Sequence, residues 1–388
     1  MSSLLASHKR NGAPRVSACL VVAVTMAFTV VQSPRALARA RAGAAATMSV
    51  FATGLSNPRG LAFGPDGDLY VAEGGPATNT LSTIGQCDQV PAAGPYTGGF
   101  NSRISKINSA GVRETVVGGL PSSQTTPALG SLVSGVSAVQ FIDGKLYAME
   151  AGAGCSHGLA GTDNTIFRVN ANGSITTVAD LSAFLRSHPI TNPDLDDFEP
   201  DGTWYGMVAV HDILYITEPN HQELDRVTRS GEISRVLDMS TLFVPPENWQ
   251  GPTGIAYRDG KFYIGTLGTF PVRPGTQNLY KISKSGHIET AARGVTAVLG
   301  VAFDHQGRLY ALETDTVAGL PGPSAAGSGK VVRVNRDGTL TTIATGLVFP
   351  TAMTIGPDNA LYVSNIGFGV PTPGAGQIVR ITLPVAQA

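Results

Sequence analysis

An aromatic pair of the Leu-Tyr type recurs six times along the chain, with its tyrosine at Tyr70, Tyr147, Tyr215, Tyr263, Tyr310 and Tyr362; Phe262 replaces the leucine once. Repetition of this kind marks an architecture in which each unit buries its apolar faces against its neighbours. Each pair follows a turn such as Pro65-Asp66-Gly67, Asp143-Gly144, Asp259-Gly260 or Pro357-Asp358-Asn359, and before the turn lies another apolar run such as Leu61-Ala62-Phe63. That is the pattern of a hairpin. After each pair comes a basic residue followed by Val or Ile: Lys106, Arg168, Arg226, Lys281, Arg333 and Arg380. Five positions after each of the first five stands a turn glycine, at Gly111, Gly173, Gly231, Gly286 and Gly338. Each unit therefore reads as four short strands, with the tyrosine on the second and the basic residue on the third.

The sixth unit runs out of chain after its third strand, Ile378 to Ile381. Ser49 to Leu55 resembles Thr341 to Leu347, both ending Thr-Gly-Leu, and 15 residues separate that leucine from the next tyrosine in both places. The N-terminal segment is thus expected to complete the last sheet. The fold predicted is an all-β, six-bladed β-propeller of four-stranded blades. Runs such as Leu69-Tyr70-Val71-Ala72, apolar on successive residues, suit blades covered on both faces; a two-sheet sandwich, the alternative, does not require the matching ends. Glycine (47) and proline (25) among 388 residues supply the turns, and 42% hydrophobic content excludes general disorder. A formal net charge of −1 gives no electrostatic footprint for nucleic acid.

Residues 1–46 carry six basic side chains, Lys9, Arg10, Arg15, Arg35, Arg39 and Arg41, no acid, and an apolar stretch from Val16 to Val31. They read as a secretory signal and disordered leader, cleaved between about residues 38 and 46, followed by the propeller over 47–384 and a tail over 385–388. Cleavage leaves 21 to 23 basic against 28 acidic residues, a charge of −5 to −7. A lipid anchor at Cys19 is rejected because the apolar core follows that cysteine instead of preceding it. The mature protein is expected to be periplasmic or extracellular, monomeric and without a transmembrane anchor.

From tyrosine to basic residue the spacings are 36, 21, 11, 18, 23 and 18, so the length variation sits between second and third strands. Those connections share one rim with the links between blades. One face is elaborated and the other plain, and a ligand site belongs on the elaborated one. Cys87 and Cys155 fall in its first two insertions, which a propeller makes adjacent, so a disulfide is expected there over two free thiols. Three positions after each tyrosine stand Glu73, Glu150, Glu218, Thr266, Glu313 and Asn365. Repetition puts them in a ring, where Glu73, Glu150, Glu218, Glu313 and Asn365 form a candidate site for one calcium-like divalent cation in the central channel. Alternatively, these side chains cap turns or pair with loop arginines such as Arg59 and Arg103. A second acidic stretch, Asp194, Asp196, Asp197, Glu199 and Asp201, lacks the twelfth-position glutamate of a calcium loop, Val208 standing there, and reads as a solvated loop. His157, His188 and His221 lie in loops of the elaborated face and, with Arg59 and Arg103, are its ligand-contact candidates. His211, His287 and His305 lie in plain-face turns. No Gly-x-Ser-x-Gly elbow, phosphate-cradling loop or Cys-x-x-Cys pair is present.

Asn57-Pro58-Arg59-Gly60-Leu61-Ala62-Phe63-Gly64-Pro65-Asp66-Gly67-Asp68-Leu69-Tyr70-Val71-Ala72-Glu73 resembles the opening blade of the ScyD/ScyE family. Tyr96-Thr97-Gly98-Gly99, Arg103-Ile104-Ser105-Lys106-Ile107, Val116-Val117-Gly118-Gly119-Leu120-Pro121-Ser122-Ser123 and Gly152-Ala153-Gly154-Cys155 are similar to the same family, and the likeness spans roughly residues 49–384. The Pro-Asp-Gly turn and the Leu-Tyr pair are shared with NHL-repeat and SMP-30/gluconolactonase propellers. The third blade departs, with Trp204-Tyr205-Gly206-Met207 where the family has an Asn-Pro-Tyr-Gly type of lead-in. The resemblance implies an exported propeller and supplies no catalytic mechanism. Likeness to lactonase-type propellers implies a single divalent metal in the channel, with no ligand set carried over residue by residue.

The leading expectation is a secreted binding or scaffold propeller that presents its looped face to a small molecule, a glycan or a protein. The rival is a metal-dependent hydrolase or lyase resembling SMP-30/gluconolactonase propellers, in which a cation polarises a carbonyl or activates water. A quinone-dependent sugar dehydrogenase is a third reading, for which no cofactor-binding His and Arg set maps onto the chain.

Overall fold

The computed structural model describes residues 46–91, 93–243, 248–319, 325–368 and 372–384. The expected leader, except for Ala46, and the expected tail lie outside the described residues. The described chain is six antiparallel sheets arranged in a ring, a β-propeller with one α-helix. Blade 1 uses Pro58–Phe63, Leu69–Glu73, Thr97–Ile107 and Arg113–Gln124; blade 2 uses Val136–Ile142, Lys145–Glu150, Thr165–Val169 and Ile175–Asp180. Blade 3 uses Met207–Val210, Ile213–Glu218, Glu223–Thr228 and Ile233–Asp238. Blade 4 uses Pro252–Arg258, Lys261–Thr266, Gln277–Ser283 and Ile288–Val295; blade 5 uses Val298–Phe303, Leu309–Glu313, Gly329–Val334 and Leu340–Leu347. Blade 6 contains Ala352–Ile355, Leu361–Asn365 and Gly376–Thr382, and Thr47–Leu55 pairs antiparallel with the last of these, Met48 opposite Ile381 and Val50 opposite Val379.

The strand register explains the sequence repeat. In all six blades the repeated tyrosine lies directly opposite the repeated basic residue: Tyr70 and Lys106, Tyr147 and Arg168, Tyr215 and Arg226, Tyr263 and Lys281, Tyr310 and Arg333, Tyr362 and Arg380. In three blades the tyrosine hydroxyl also donates to an aspartate of the preceding turn, Tyr70 to Asp66 (3.0 Å), Tyr310 to Asp304 (3.1 Å) and Tyr362 to Asp358 (3.2 Å), which ties turn to strand. The basic residue closes the same group in blades 1 and 6, where Lys106 pairs with Asp66 and Arg380 with Asp358. The five turn glycines hold φ between +77° and +91°, the left-handed region where a Cβ is penalised.

Six apolar clusters fill the six contacts between blades, for example Trp204, Met149, Ile166 and Ile216 between blades 2 and 3, and Leu55, Val71, Tyr362 and Ile378 between blades 6 and 1. The inner strands meet without room for side chains at some points: a Cβ on Gly254 would lie 2.8 Å from the Gly300 Cα. Inner strands also expose one backbone edge, and hydroxyls from the neighbouring blade satisfy part of it. Thr217 Oγ1 donates to the Thr253 carbonyl (2.6 Å), Ser364 Oγ to the Arg59 carbonyl (2.6 Å), and Thr351 Oγ1 to the Pro58 carbonyl (2.5 Å). The last two join blade 6 to blade 1.

Two features differ from four plain strands per unit. The link leaving blade 1 returns as Val133–Ser134 and adds a fifth strand to that sheet. The link from blade 2 to blade 3 begins with helix α1, Leu181–Ser187, whose N-terminus is capped by Asp180 accepting from the Ala183 amide (2.8 Å). Among the described residues no helix is long and apolar enough to cross a membrane. Gly254→Ala is expected to destabilise the fold by about 1–3 kcal/mol through overpacking against blade 5, measured by urea unfolding, whereas Gly260→Ala, in an open turn at positive φ, carries only its local backbone strain.

Candidate functional site

The first, second and third blades bring four segments together on the elaborated rim. The insertion of blade 1 builds a small core of its own from Val90, Ala93 and Tyr96. A disulfide joins its Cys87 to Cys155 in the insertion of blade 2, with Cα atoms 6.2 Å apart, as the adjacency of the two loops required. Tyr96 then reaches out of this insertion and donates from its hydroxyl to Glu199 Oε1 (2.9 Å). His157, two residues beyond Cys155, meets the other oxygen of the same carboxylate, Nε2 to Oε2 at 3.1 Å. Glu199 also offers its backbone carbonyl to His221 Nε2 (2.8 Å) in the tight turn of blade 3.

These contacts assign protons. His157 Nδ1 faces the Ala153 carbonyl (2.7 Å), which only accepts, so Nδ1 carries hydrogen, while Nε2 faces the Glu199 carboxyl group. Burial alone would lower its pKa, but the hydrogen bond and charge of Glu199, the Ala153 carbonyl and Asp201 together raise it. His221 donates from Nε2 and has no partner on Nδ1; burial lowers its pKa and keeps it neutral. Around them, burial lifts three carboxyl groups into the neutral range: Glu150 to about 8, Asp197 to about 8 with help from the charges of Glu199, Asp194 and Glu218, and Glu218 to about 7. Burial and the charges of Glu199 and Asp197 likewise push the Tyr96 hydroxyl well above its ordinary value.

The acidic stretch read as a solvated loop is in part interior. Glu199 and Asp201 are buried. Asp201 accepts from the Ser156 amide (2.9 Å) and hydroxyl (2.7 Å) on one oxygen and from Arg186 (2.9 Å) on the other. Asp197 accepts from Asn220 Nδ2 (3.0 Å). The stretch is therefore the hub on which three blades' loops are fastened. Loop polarity gave no sign of this, because its partners Tyr96 and His157 lie 103 and 42 residues away.

The remaining candidates divide. Glu73 is held bidentately by Arg103, Nε to Oε1 and Nη2 to Oε2 at 2.8 Å each, and also accepts from the Ser56 amide (2.6 Å) and the Ser105 hydroxyl. Glu218 accepts from the Thr203 amide (2.6 Å) and the His221 amide; Asn365 Oδ1 accepts from the Val348 amide (2.8 Å). In these three blades the residue ending the second strand thus ties down the segment that leads into its own blade. Glu313 pairs with Lys330 (3.2 Å), and burial lifts its carboxyl to about 6. Glu150 takes the amides of Ala151 (3.1 Å) and Gly152 (2.9 Å) on Oε1 and leaves Oε2 without a partner. Among the described residues no group of three or more His, Cys, Asp or Glu side chains is placed to hold a metal. His188 caps the end of α1 and stacks on Phe184 (4.5 Å between centroids), apart from the cluster.

Arg59, next to the channel-lining Gly60, is buried and has no carboxylate partner among the described residues. It donates to the Val133 carbonyl and lies over the Phe368 ring (4.6 Å), with the Tyr205 ring at 6.0 Å. Tyr205 donates from its hydroxyl to the Thr351 carbonyl (2.7 Å). Blades 3 and 6 stand opposite in a ring of six, so this bond crosses the channel. A cavity of about 260 Å³, with Tyr205 and inner-strand residues of all six blades in its walls, fills the channel beside that crossing.

No family model and no curated protein matches the chain. Solved structures do match it. A structural genomics protein of unknown function from Bacteroides thetaiotaomicron VPI-5482 aligns at 12% identity over 87% of this chain and 76% of its own, with a TM-score of 0.54. A gluconolactonase from Xanthomonas campestris, described as important in glucose secondary metabolic pathways, aligns at 12% identity over 87% of this chain and 90% of its own, with a TM-score of 0.51. At such identity the likeness is one of fold alone.

The folded protein retains protons on Glu150, Asp197 and Glu218 that the unfolded chain has released above about pH 5. Stability is therefore full below the unfolded carboxyl range and falls as pH rises toward 8, by at most roughly 1.4 kcal/mol per pH unit for each carboxyl, with His157 adding in the same sense and His221 opposing. Urea unfolding across pH 5 to 8 measures this, and Glu218→Gln should flatten the slope. Cys155→Ala, which opens a cross-link between residues 68 apart, should cost about 2–4 kcal/mol by the same measurement.

Proposed function

We propose that this protein is an exported binding or scaffold propeller of the ScyD/ScyE type, which presents the looped face over its first three blades to a small molecule, a glycan or a protein. The observation that carries this reading is that the ionisable groups gathered on Glu199 are spent on one another. His157 is 0% exposed, Glu199 2% and Tyr96 4%, and both nitrogens of His157 are engaged. A general base must reach a substrate proton, and this histidine is closed off from solvent. What the cluster does, with the Cys87–Cys155 bond, is hold long loops in one arrangement, and preorganisation of that kind favours binding. The disulfide and the basic, acid-free leader support export to an oxidising compartment.

A metal-dependent hydrolase or lyase is the second reading. It is favoured by the fold of its neighbours and by Glu150, Asp197 and Glu218, whose raised pKa values suit proton transfer near neutrality. The five ring residues do not fit a shared calcium-like cation well, since Arg103 neutralises Glu73, Lys330 neutralises Glu313 and an amide occupies Asn365 Oδ1. Calorimetric titration of the purified protein with mono- and oligosaccharides and with small lactones, beside a lactone-hydrolysis assay with and without calcium, separates the two. Binding without turnover is expected. Metal-dependent turnover abolished by Glu218→Gln would replace the binding reading with the enzymatic one.

A further inference from the structure

Between blades 1 and 2, where their strands reach the elaborated rim, lies a cleft of about 340 Å³ separate from the channel. Its apolar walls come from Leu120 on the outer strand of blade 1 and from Phe167 and Ile175 on the outer strands of blade 2. Two of its acids are already committed: Asp163 pairs with Arg186 (2.8 Å), and Asp180 caps α1. The third is Glu150. It lines the cleft and is 2% exposed, its Oε1 is held by two amides, and its buried Oε2 has no partner among the described residues.

A buried carboxyl with one oxygen anchored and the other unmatched is costly unless something completes it, and an oxygen already fixed by the backbone has its partner's position chosen in advance. Among the described residues no basic side chain lines this cleft, and its three ionisable groups are all acidic; Glu150, protonated while the cleft is empty, would release that proton to solvent as a cation takes its place beside Oε2. The complement of such a site is a positive charge that carries N–H donors on an apolar stem, a group that satisfies the oxygen while its carbons cover Leu120 and Phe167.

We propose that this inter-blade cleft binds a primary alkylammonium group, from an amine of small-molecule size, through Glu150 Oε2. The proposal rests on the looped face being a binding face and gives that face a ligand class and an anchoring residue.

The test is a methyl-NMR titration of the purified protein with n-hexylammonium chloride, reading Leu120 and Ile175, beside n-hexanol as an uncharged probe of the same stem. Saturable shifts at both methyls with the amine, and binding about tenfold or more weaker with hexanol, are expected. Glu150→Gln should weaken the amine by about tenfold and leave hexanol unchanged. Thr177→Trp, an exposed change on the outer strand that fills the cleft without touching Glu150, should abolish both shifts, and it decides the matter if the Gln variant does not fold. Equal binding of amine and alcohol, or no shift at Leu120 and Ile175, would overturn the proposal. Amine-induced shifts confined to other loops of the face would also overturn it while leaving the binding-face reading intact, whereas lactone turnover would remove that reading without moving these methyl signals.

Discussion

A blade of this protein has two apolar faces and one open backbone edge, and neither can be left in water. The faces are covered by the blades on either side, through six separate cores, and part of the inner edge is covered by hydroxyls such as Thr217, Thr351 and Ser364. Both requirements are met only when every blade has two neighbours, which is a ring. Apolar burial supplies the driving force, and the small residues at the inner contact, Gly254 against Gly300 above all, set how closely the blades approach.

With the scaffold fixed in this way, the two rims have different duties. The plain rim carries short turns built on glycine and aspartate, whose aspartates are drawn back onto the repeated tyrosines and basic residues. The elaborated rim carries long loops with little regular structure to hold them. There the backbone is fastened by charged and polar groups: Glu73 by Arg103 and the Ser56 amide, Asp201 by Ser156 and Arg186, Glu199 by Tyr96, His157 and His221. Buried networks of this sort are stable only when their members satisfy one another, and most of these do. Glu150 is the member lining an open cleft that keeps an unmatched oxygen, which is why it separates from the ring to which its repeat position assigned it.

The ring of strand-end carboxylates shows how repetition can mislead about chemistry. Equivalent positions in equivalent blades do place Glu73, Glu218 and Asn365 alike, and each accepts an amide from the segment entering its blade. The shared role is local to each blade. Convergence on one cation demands in addition that the oxygens face one another unneutralised, and Arg103 and Lys330, which stand directly opposite Glu73 and Glu313 on the third strand, three positions before the repeated basic residue, neutralise two of them.

The amino-acid pattern alone determined the number of blades, the strand on which each tyrosine and basic residue lies, the rim that carries the insertions and the neighbourhood of Cys87 and Cys155. These follow from periodic hydrophobicity and turn residues, which act over a few positions and recur, so that six weak local signals reinforce one another. The added strand Val133–Ser134 and helix α1 fall in the links, where no repeat reports on them. The tertiary structure alone decided that Glu199 is interior, that Tyr96, His157 and His221 converge on it, and that Tyr205 crosses the channel to Thr351, 146 residues away. Each of those contacts joins single residues from unlike loops, and a pairing made once, across the ring, leaves no period in the chain to be read.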